Sequence, residues 1–246
     1  MNAPHLTPQA RTDWDLLAAP TQEACVFEQA QADHLPQSAR RWLLHALAPG
    51  TALLRTVELA MHGTIRLGSW RPFDAVQVIA PLLGYVWAAT THLAGLPLGG
   101  FDRYRGGEGQ MRWRLLGRIP VMSMTGADVA RSAAGRLACE FILTPAVALD
   151  PRIHWKAVDE LHAVARFAID EEDFEVTLRV GPSGALETAS LSRWGNPDKR
   201  GFREHVFGVV CERESVFDGV TIPSVLRCGW WPEEFIRITI DWADFR

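Results

Sequence analysis

Hydrophobic and polar positions change period several times along the 246-residue chain, and each change marks an expected element. Before Leu35 the sequence is polar, Ala- and Gln-rich and weakly periodic. Residues 1–33 therefore read as a leader packed loosely on a single body formed by residues 34–246. The spacing then turns helical. Trp42, Leu43 and Leu47 share one stripe, Pro36 stands in the first turn, where a missing N–H costs nothing, and Pro49-Gly50 stops the helix. Beyond it the period is two: Val57, Leu59 and Met61 alternate with Glu58 and Ala60, and Phe73, Ala75 and Gln77 alternate with Asp74 and Val76. Further strands are expected over 85–91 and 111–115. In the second of these Met111, Trp113 and Leu115 line one face, while Arg112 and Arg114 line the other.

Helical spacing returns with Val129, Ala133, Leu137 and Phe141, for which Thr125 or Asp128 offers a cap and Pro145 an end. From Ile153 onward nearly everything reads as strand. Residues 174–180 and 185–191 flank the hairpin signal Gly181-Pro-Ser-Gly184, and Phe217-Asp-Gly-Val220 marks another turn. The pattern defines an α+β domain with a large antiparallel sheet and at least two helices.

One carboxylate breaks the second helical stripe. At about 100° per residue, Glu140 projects beside Val129 and Ala133 and not on the opposite, polar face, with Arg136 one turn earlier. A carboxylate there is either a paired structural charge or a group tuned for proton transfer. Desolvation would raise its pKa and Arg136 would lower it, so the pair could form a poised acid/base or a fixed ion pair.

Composition narrows the partners. A formal net charge of −4 gives no long-range attraction for phosphate backbones or anionic lipid, so nucleic acid is not an expected partner. The first eleven residues have no apolar core after a basic start and read as neither secretory signal nor anchor, and no apolar run approaches the roughly 18 residues of a spanning helix. A cytoplasmic location without membrane insertion is the expectation. The four cysteines form no C-x-x-C pair, which fits a reducing compartment and no disulfide essential to stability. Ten Trp stand against two Tyr, a proportion suited to flat surfaces lining a pocket, or simply to filling a large curved sheet.

Gly99-Gly-Phe-Asp-Arg-Tyr-Arg-Gly-Gly-Glu-Gly109 lacks the Walker lysine and precedes a strand, so it reads not as a phosphate cradle but first as a surface loop and, in a functional reading, as a mobile lip hanging Asp102, Arg103, Tyr104 and Arg105 over a cavity mouth. The surface loop with solvated charges is the preferred single reading. The histidines show no H-E-x-x-H spacing, and no metal or cofactor is expected. His154, beside Trp155, could pair across strands with His162 near the Glu140 helix. No G-x-S-x-G elbow appears, which leaves nucleophilic acyl transfer unsupported.

These landmarks, Leu35-Pro-x-x-Ala-Arg-Arg-Trp42, Gly68-Ser-Trp-Arg-Pro-Phe-Asp-Ala-Val-Gln77, Trp87, Asp102-Arg-Tyr-Arg-Gly-Gly107, Arg136-Leu-Ala-Cys-Glu140 with Pro145, and His154-Trp155, resemble those of an uncharacterised bacterial domain-of-unknown-function family. The resemblance spans most of Leu35 to Trp231 and implies no established activity. It implies a strongly curved antiparallel sheet or half-barrel around one or two helices, similar to lipoprotein-carrier folds. The chain departs from it in Phe141-Ile-Leu143 and Trp230-Trp231.

Two functions follow. In the first, a cofactor-independent lyase, isomerase or hydrolase acts on a hydrophobic, aromatic small molecule, with Glu140 as acid/base and Arg136, Asp102 and Tyr104 orienting it. Trp70, Trp87, Trp113, Trp155, His154 and Gln77 would line the cavity. In the second, the same cavity carries or senses an apolar ligand without chemistry. The missing export signal favours the enzyme over a lipid shuttle of the lipoprotein-carrier kind.

Overall fold

The computed structural model describes residues 3–20 and 25–246. Its main element is one antiparallel sheet of thirteen strands. The first six strands follow one another as a meander: β1 (Val57–Leu67), β2 (Ser69–Ala80), β3 (Gly84–Leu93), β4 (Leu96–Arg105), β5 (Glu108–Leu115) and β6 (Ile119–Thr125). A second meander comprises β7 (His154–Ala157), β8 (His162–Ile169), β9 (Glu172–Val180), β10 (Leu186–Gly195), β11 (Arg203–Phe217), β12 (Val220–Trp230) and β13 (Glu233–Phe245). The two meanders meet along one seam, where β1 pairs with β13 from Val57 opposite Phe245 to Ile65 opposite Ile236. The spatial order therefore runs β6 to β1, then β13 back to β7.

Three helices position the sheet: α1 (Pro8–Leu17), α2 (Gln37–Ala46) and α3 (Ala127–Glu140). α3 packs against both β5 and β10, which have seven strands between them in the sheet order, so the sheet curls around it into a half-barrel. Period-two alternation decides what faces inward. Val57, Leu59, Ile79, Tyr85 and Trp87 point into the concave core, while Val78, Val86, Ala88 and Phe101 form a second apolar layer on the convex face. The spacing that predicts α2 is realised with Trp42 and Leu43 buried, and Trp42 meets Phe141 at 5.9 Å and Trp155 at 6.3 Å between ring centroids.

Three expectations need correction. The residues expected as a loose leader dock firmly over the described part of that segment. Ala10, Trp14 and Leu17 are buried on the convex layer, the Trp14 indole donates to Glu58 at 2.8 Å, and Asp13 meets Arg103 at 2.7 Å with both side chains under a tenth exposed. This stripe occupies only two turns, too short for the periodicity to stand out against polar neighbours.

The glycine-rich segment is neither a surface loop nor a lip. Asp102 and Tyr104 lie within β4, and only Gly106 and Gly107, both at positive φ, form the turn to β5. Gly100 is required inside the strand, because a Cβ there would stand 2.3 Å from the Arg112 carbonyl oxygen and 2.6 Å from the Trp113 ring.

At the start of α3 neither expected cap acts. Gly126 holds the N-cap position, and Asp128 instead accepts the Trp194 indole N–H at 2.8 Å. The helix ends at Glu140, ahead of Pro145, and the chain continues in short turns over Phe141–Leu143 and Pro145–Leu149 that fill the core beneath α2.

Candidate functional site

The inward face of α3 sets Arg136 and Glu140 one turn apart against β2, β3 and β4. Arg136 Nε donates to Glu140 Oε1 at 2.7 Å and its Nη1 to Asp102 Oδ2 at 3.4 Å. Gln77, buried on the inward face of β2, donates to Glu140 Oε2 at 2.8 Å, and the Trp113 indole donates to Asp102 Oδ1 at 3.0 Å. All four carboxylate oxygens thus accept a hydrogen bond. The guanidinium lies over the Tyr85 ring at 4.6 Å and the Trp87 ring at 5.2 Å, so aromatic faces cover its plane while the acids take its edge. Trp87 and Trp113 pack at 5.7 Å between centroids.

A second arginine stands nearby with no carboxylate in ion-pair contact among the described residues. Arg193, on the inward face of β10, is buried between Phe207 at 4.5 Å and Trp230 at 4.8 Å, and its Nε donates to the Ser132 carbonyl at 2.9 Å. A Cβ at Gly135 would stand 2.8 Å from Arg193 Cγ, so the helix can lie on this side chain only because residue 135 has none.

The electrostatics follow from burial. Desolvation pushes the Asp102 carboxyl up against the opposing pull of Arg136. For Arg136, burial is the largest single influence and favours the neutral form, but the Glu140 charge, the Tyr85 hydroxyl, the Asp102 charge and the hydrogen bond to Glu140 together outweigh it and the pKa rises. Arg193 has no such carboxylate, and burial, reinforced by the charge of Arg136, draws it down to about 10. Burial pushes the Tyr85 hydroxyl well above its ordinary value. It also raises the thiol of Cys139 and takes that of Cys228 to about 12, which leaves both cysteines poor nucleophiles.

The structure therefore gathers Glu140, Arg136, Asp102, Gln77, Trp87 and Trp113 into one cluster and disperses the other expected residues. The Tyr104 hydroxyl donates to Asp170 at 2.5 Å and takes no part with Glu140. Trp70 lies on the convex side of β2, exposed, with Arg237 stacked on it at 4.8 Å. Trp155 faces inward, but it packs on Trp42 and Phe141 and donates to the Ala148 carbonyl. His154 is exposed opposite Arg166, and His162 bonds to Asp159.

Tyr85 and Arg193 escape the sequence reading. Parity carries the missing signal, since Tyr85 is two residues from Trp87 and Arg193 two from Leu191, each pair on the inward face of its strand. Two openings in the surface lie elsewhere: a groove of about 490 Å³ between Arg40, Arg41, His45 and Ser183, and a pocket of about 190 Å³ on the convex face. Among the described residues no group of three or more His, Cys, Asp or Glu side chains is placed to hold a metal, and no helix is long and apolar enough to cross a membrane.

A curved antiparallel half-barrel wrapped around a helix that carries a neutralised charge cluster defines the class of this protein. The chain belongs to a family of unknown function (DUF6544), whose pattern matches residues 25–237. This bears out the expected resemblance to an uncharacterised family. No curated protein matches the chain.

Among solved structures, the chain is similar to a LolA-superfamily protein from Nitrosomonas europaea, at 11% identity and a TM-score of 0.44 over 89% of this chain and 90% of that one. It is also similar to a DUF1329 family protein from Desulfovibrio piger, at 14% identity and a TM-score of 0.42 over 88% and 92%. A putative outer membrane lipoprotein-sorting protein domain from Vibrio parahaemolyticus matches at 6% identity and a TM-score of 0.42 over 78% and 85%.

Proposed function

We propose that this protein binds an apolar small molecule on the concave side of its half-barrel and holds it without chemistry. The observation that carries this reading is the uneven burial of the inward face. Near α2 the inward side chains Val57, Leu59 and Ile79 are sealed. At the opposite end of the sheet, on β1, β3, β5 and β13, the side chains Ile65, Leu67, Leu93, Leu115, Ile236 and Ile238 face the same way yet are only half-buried. Such a surface gains roughly 25 cal/mol for each Å² of apolar area that a ligand covers. The charge cluster supports the same reading from the other direction. Each oxygen of Glu140 and Asp102 already accepts one fixed donor and Arg136 bridges the two carboxylates, an arrangement that suits a structural ion pair.

The test is the fluorescence of N-phenyl-1-naphthylamine, an uncharged probe that brightens when it leaves water. Saturable brightening is expected with the parent protein and its loss with Leu67→Asp and Ile236→Asp, while Glu140→Gln retains it. Equal brightening by parent and rim variants, or none by the parent, would overturn the proposal.

A further inference from the structure

The pocket on the convex face is separate from the concave rim, and the charged side chains in its lining are two arginines, with no carboxylate among them. Arg112 and Arg114 lie two apart on β5, on the face opposite to Trp113, and both line the pocket with His5, Leu6, Thr7 and Gly99. Among the described residues neither arginine has a carboxylate partner, and Arg114 Nε is buried with no hydrogen-bond acceptor. A buried guanidinium N–H left unmade is costly, so this atom is short of one acceptor.

The opposite wall is fixed to the sheet. His5 Nε2 lies 3.1 Å from the Thr90 hydroxyl, and the ring sits where a Cβ on Gly99 would be, 2.4 Å from Nε2. Thr7 is the N-cap of the ten-residue helix α1, whose positive end therefore borders the same space. The other groove, around Arg40 and Arg41, offers a contrast. There Arg40 pairs with Asp33, and Arg41 donates to the carbonyls of Glu160, Val180 and Gly181.

We propose that the convex pocket is a binding site for a phosphate group, held between Arg112 and Arg114 on one side and His5 with the start of α1 on the other. Two guanidinium groups from β5 on one wall and an imidazole with a helix end on the other offer donors from two sides, which suits a tetrahedral oxyanion. The volume of about 190 Å³ equals roughly six water volumes of about 30 Å³ each, enough for a phosphate and a few atoms of the alcohol that it esterifies. The phosphate could belong to a soluble monoester or to a lipid headgroup, and the two sources are separable.

Isothermal titration with inorganic phosphate and with methyl phosphate tests the soluble source. Sedimentation with phosphatidylcholine vesicles, with and without phosphatidate, tests the headgroup. The parent protein should bind in at least one arm, and Arg112→Gln and Arg114→Gln should each weaken that binding about tenfold or more while melting as the parent does. Arg40→Gln, in the other groove, should leave it unchanged. Binding confined to phosphate in solution assigns a soluble monoester, and binding only to phosphatidate vesicles assigns the headgroup. No binding in either arm, or equal binding by a folded Arg112→Gln, Arg114→Gln double variant, would overturn the proposal.

Discussion

Glu140→Gln distinguishes a structural charge from a catalytic one. The substitution keeps the shape of the side chain and an oxygen for one donor, but it removes the negative charge that Arg136 meets at 2.7 Å with both side chains only 19% exposed. In the parent, Arg136 and Arg193 balance Glu140 and Asp102. The variant leaves one uncompensated positive charge among aromatic rings. Breaking a buried pair outright costs on the order of 3 kcal/mol or more. Here Asp102 remains 3.4 Å from the same guanidinium and softens the loss, so about 2 kcal/mol is expected.

For a domain of this length that corresponds to a melting temperature lower by about 4–8 °C. Thermal and urea unfolding monitored by tryptophan fluorescence would measure it. Arg136→Met added to Glu140→Gln restores the charge balance, because Asp102 and Arg193 remain, and should recover part of the loss, giving a coupling energy that exposed pairs do not show. An unchanged melting curve for Glu140→Gln would refute the structural role, most sharply if a turnover found for the parent fell with it.

Three further outcomes are expected. Gly109→Ala should destabilise by about 2–4 kcal/mol in urea unfolding, because its Cβ would stand 2.5 Å from Ala130 Cα in α3 and a helix backbone cannot step aside as a side chain does. Trp87→Ala should cost about 3–5 kcal/mol, whereas Trp70→Ala, on an exposed position, should cost under about 1 kcal/mol in the same assay. Asp150 has its pKa lowered by hydrogen bonds from Arg152, with Arg55 also beside it. Its contribution should be complete above about pH 5 and lost as the pH falls through the unfolded value near 3.9 to the lowered folded one, so an acid titration of stability should be shallower in Asp150→Asn.

Strand alternation makes the sheet legible in the sequence, since the pleat demands it wherever one face is buried. The same parity rule places Trp87, Trp113 and Gln77 on the inward face and puts Glu140 with its helical neighbours. Trp70 escapes because an indole reads as core by composition, while its even-numbered place on β2 turns it outward. The glycines at 99 and 100 read as loop because local propensity carries no trace of the His5 ring packed on the one and the Trp113 ring packed on the other. α1 is hidden for a similar reason, as its partner strands β2 and β3 lie more than fifty residues away in the chain and only their apolar outer layer explains its short stripe.

The seam between β1 and β13 has a kinetic consequence. Each meander closes strand by strand through short turns, so either arm can be assembled from neighbours in sequence. The seam brings Val57 to Phe245, which are separated by all the other strands of the sheet, and such closure is entropically slow until both arms exist. During synthesis the first arm, with β6 as its free edge, is complete long before its partner strand leaves the ribosome. Until β13 arrives, β1 is a second open edge lined with buried-type residues, and the interval before that edge is covered is when the chain is most exposed to misassociation.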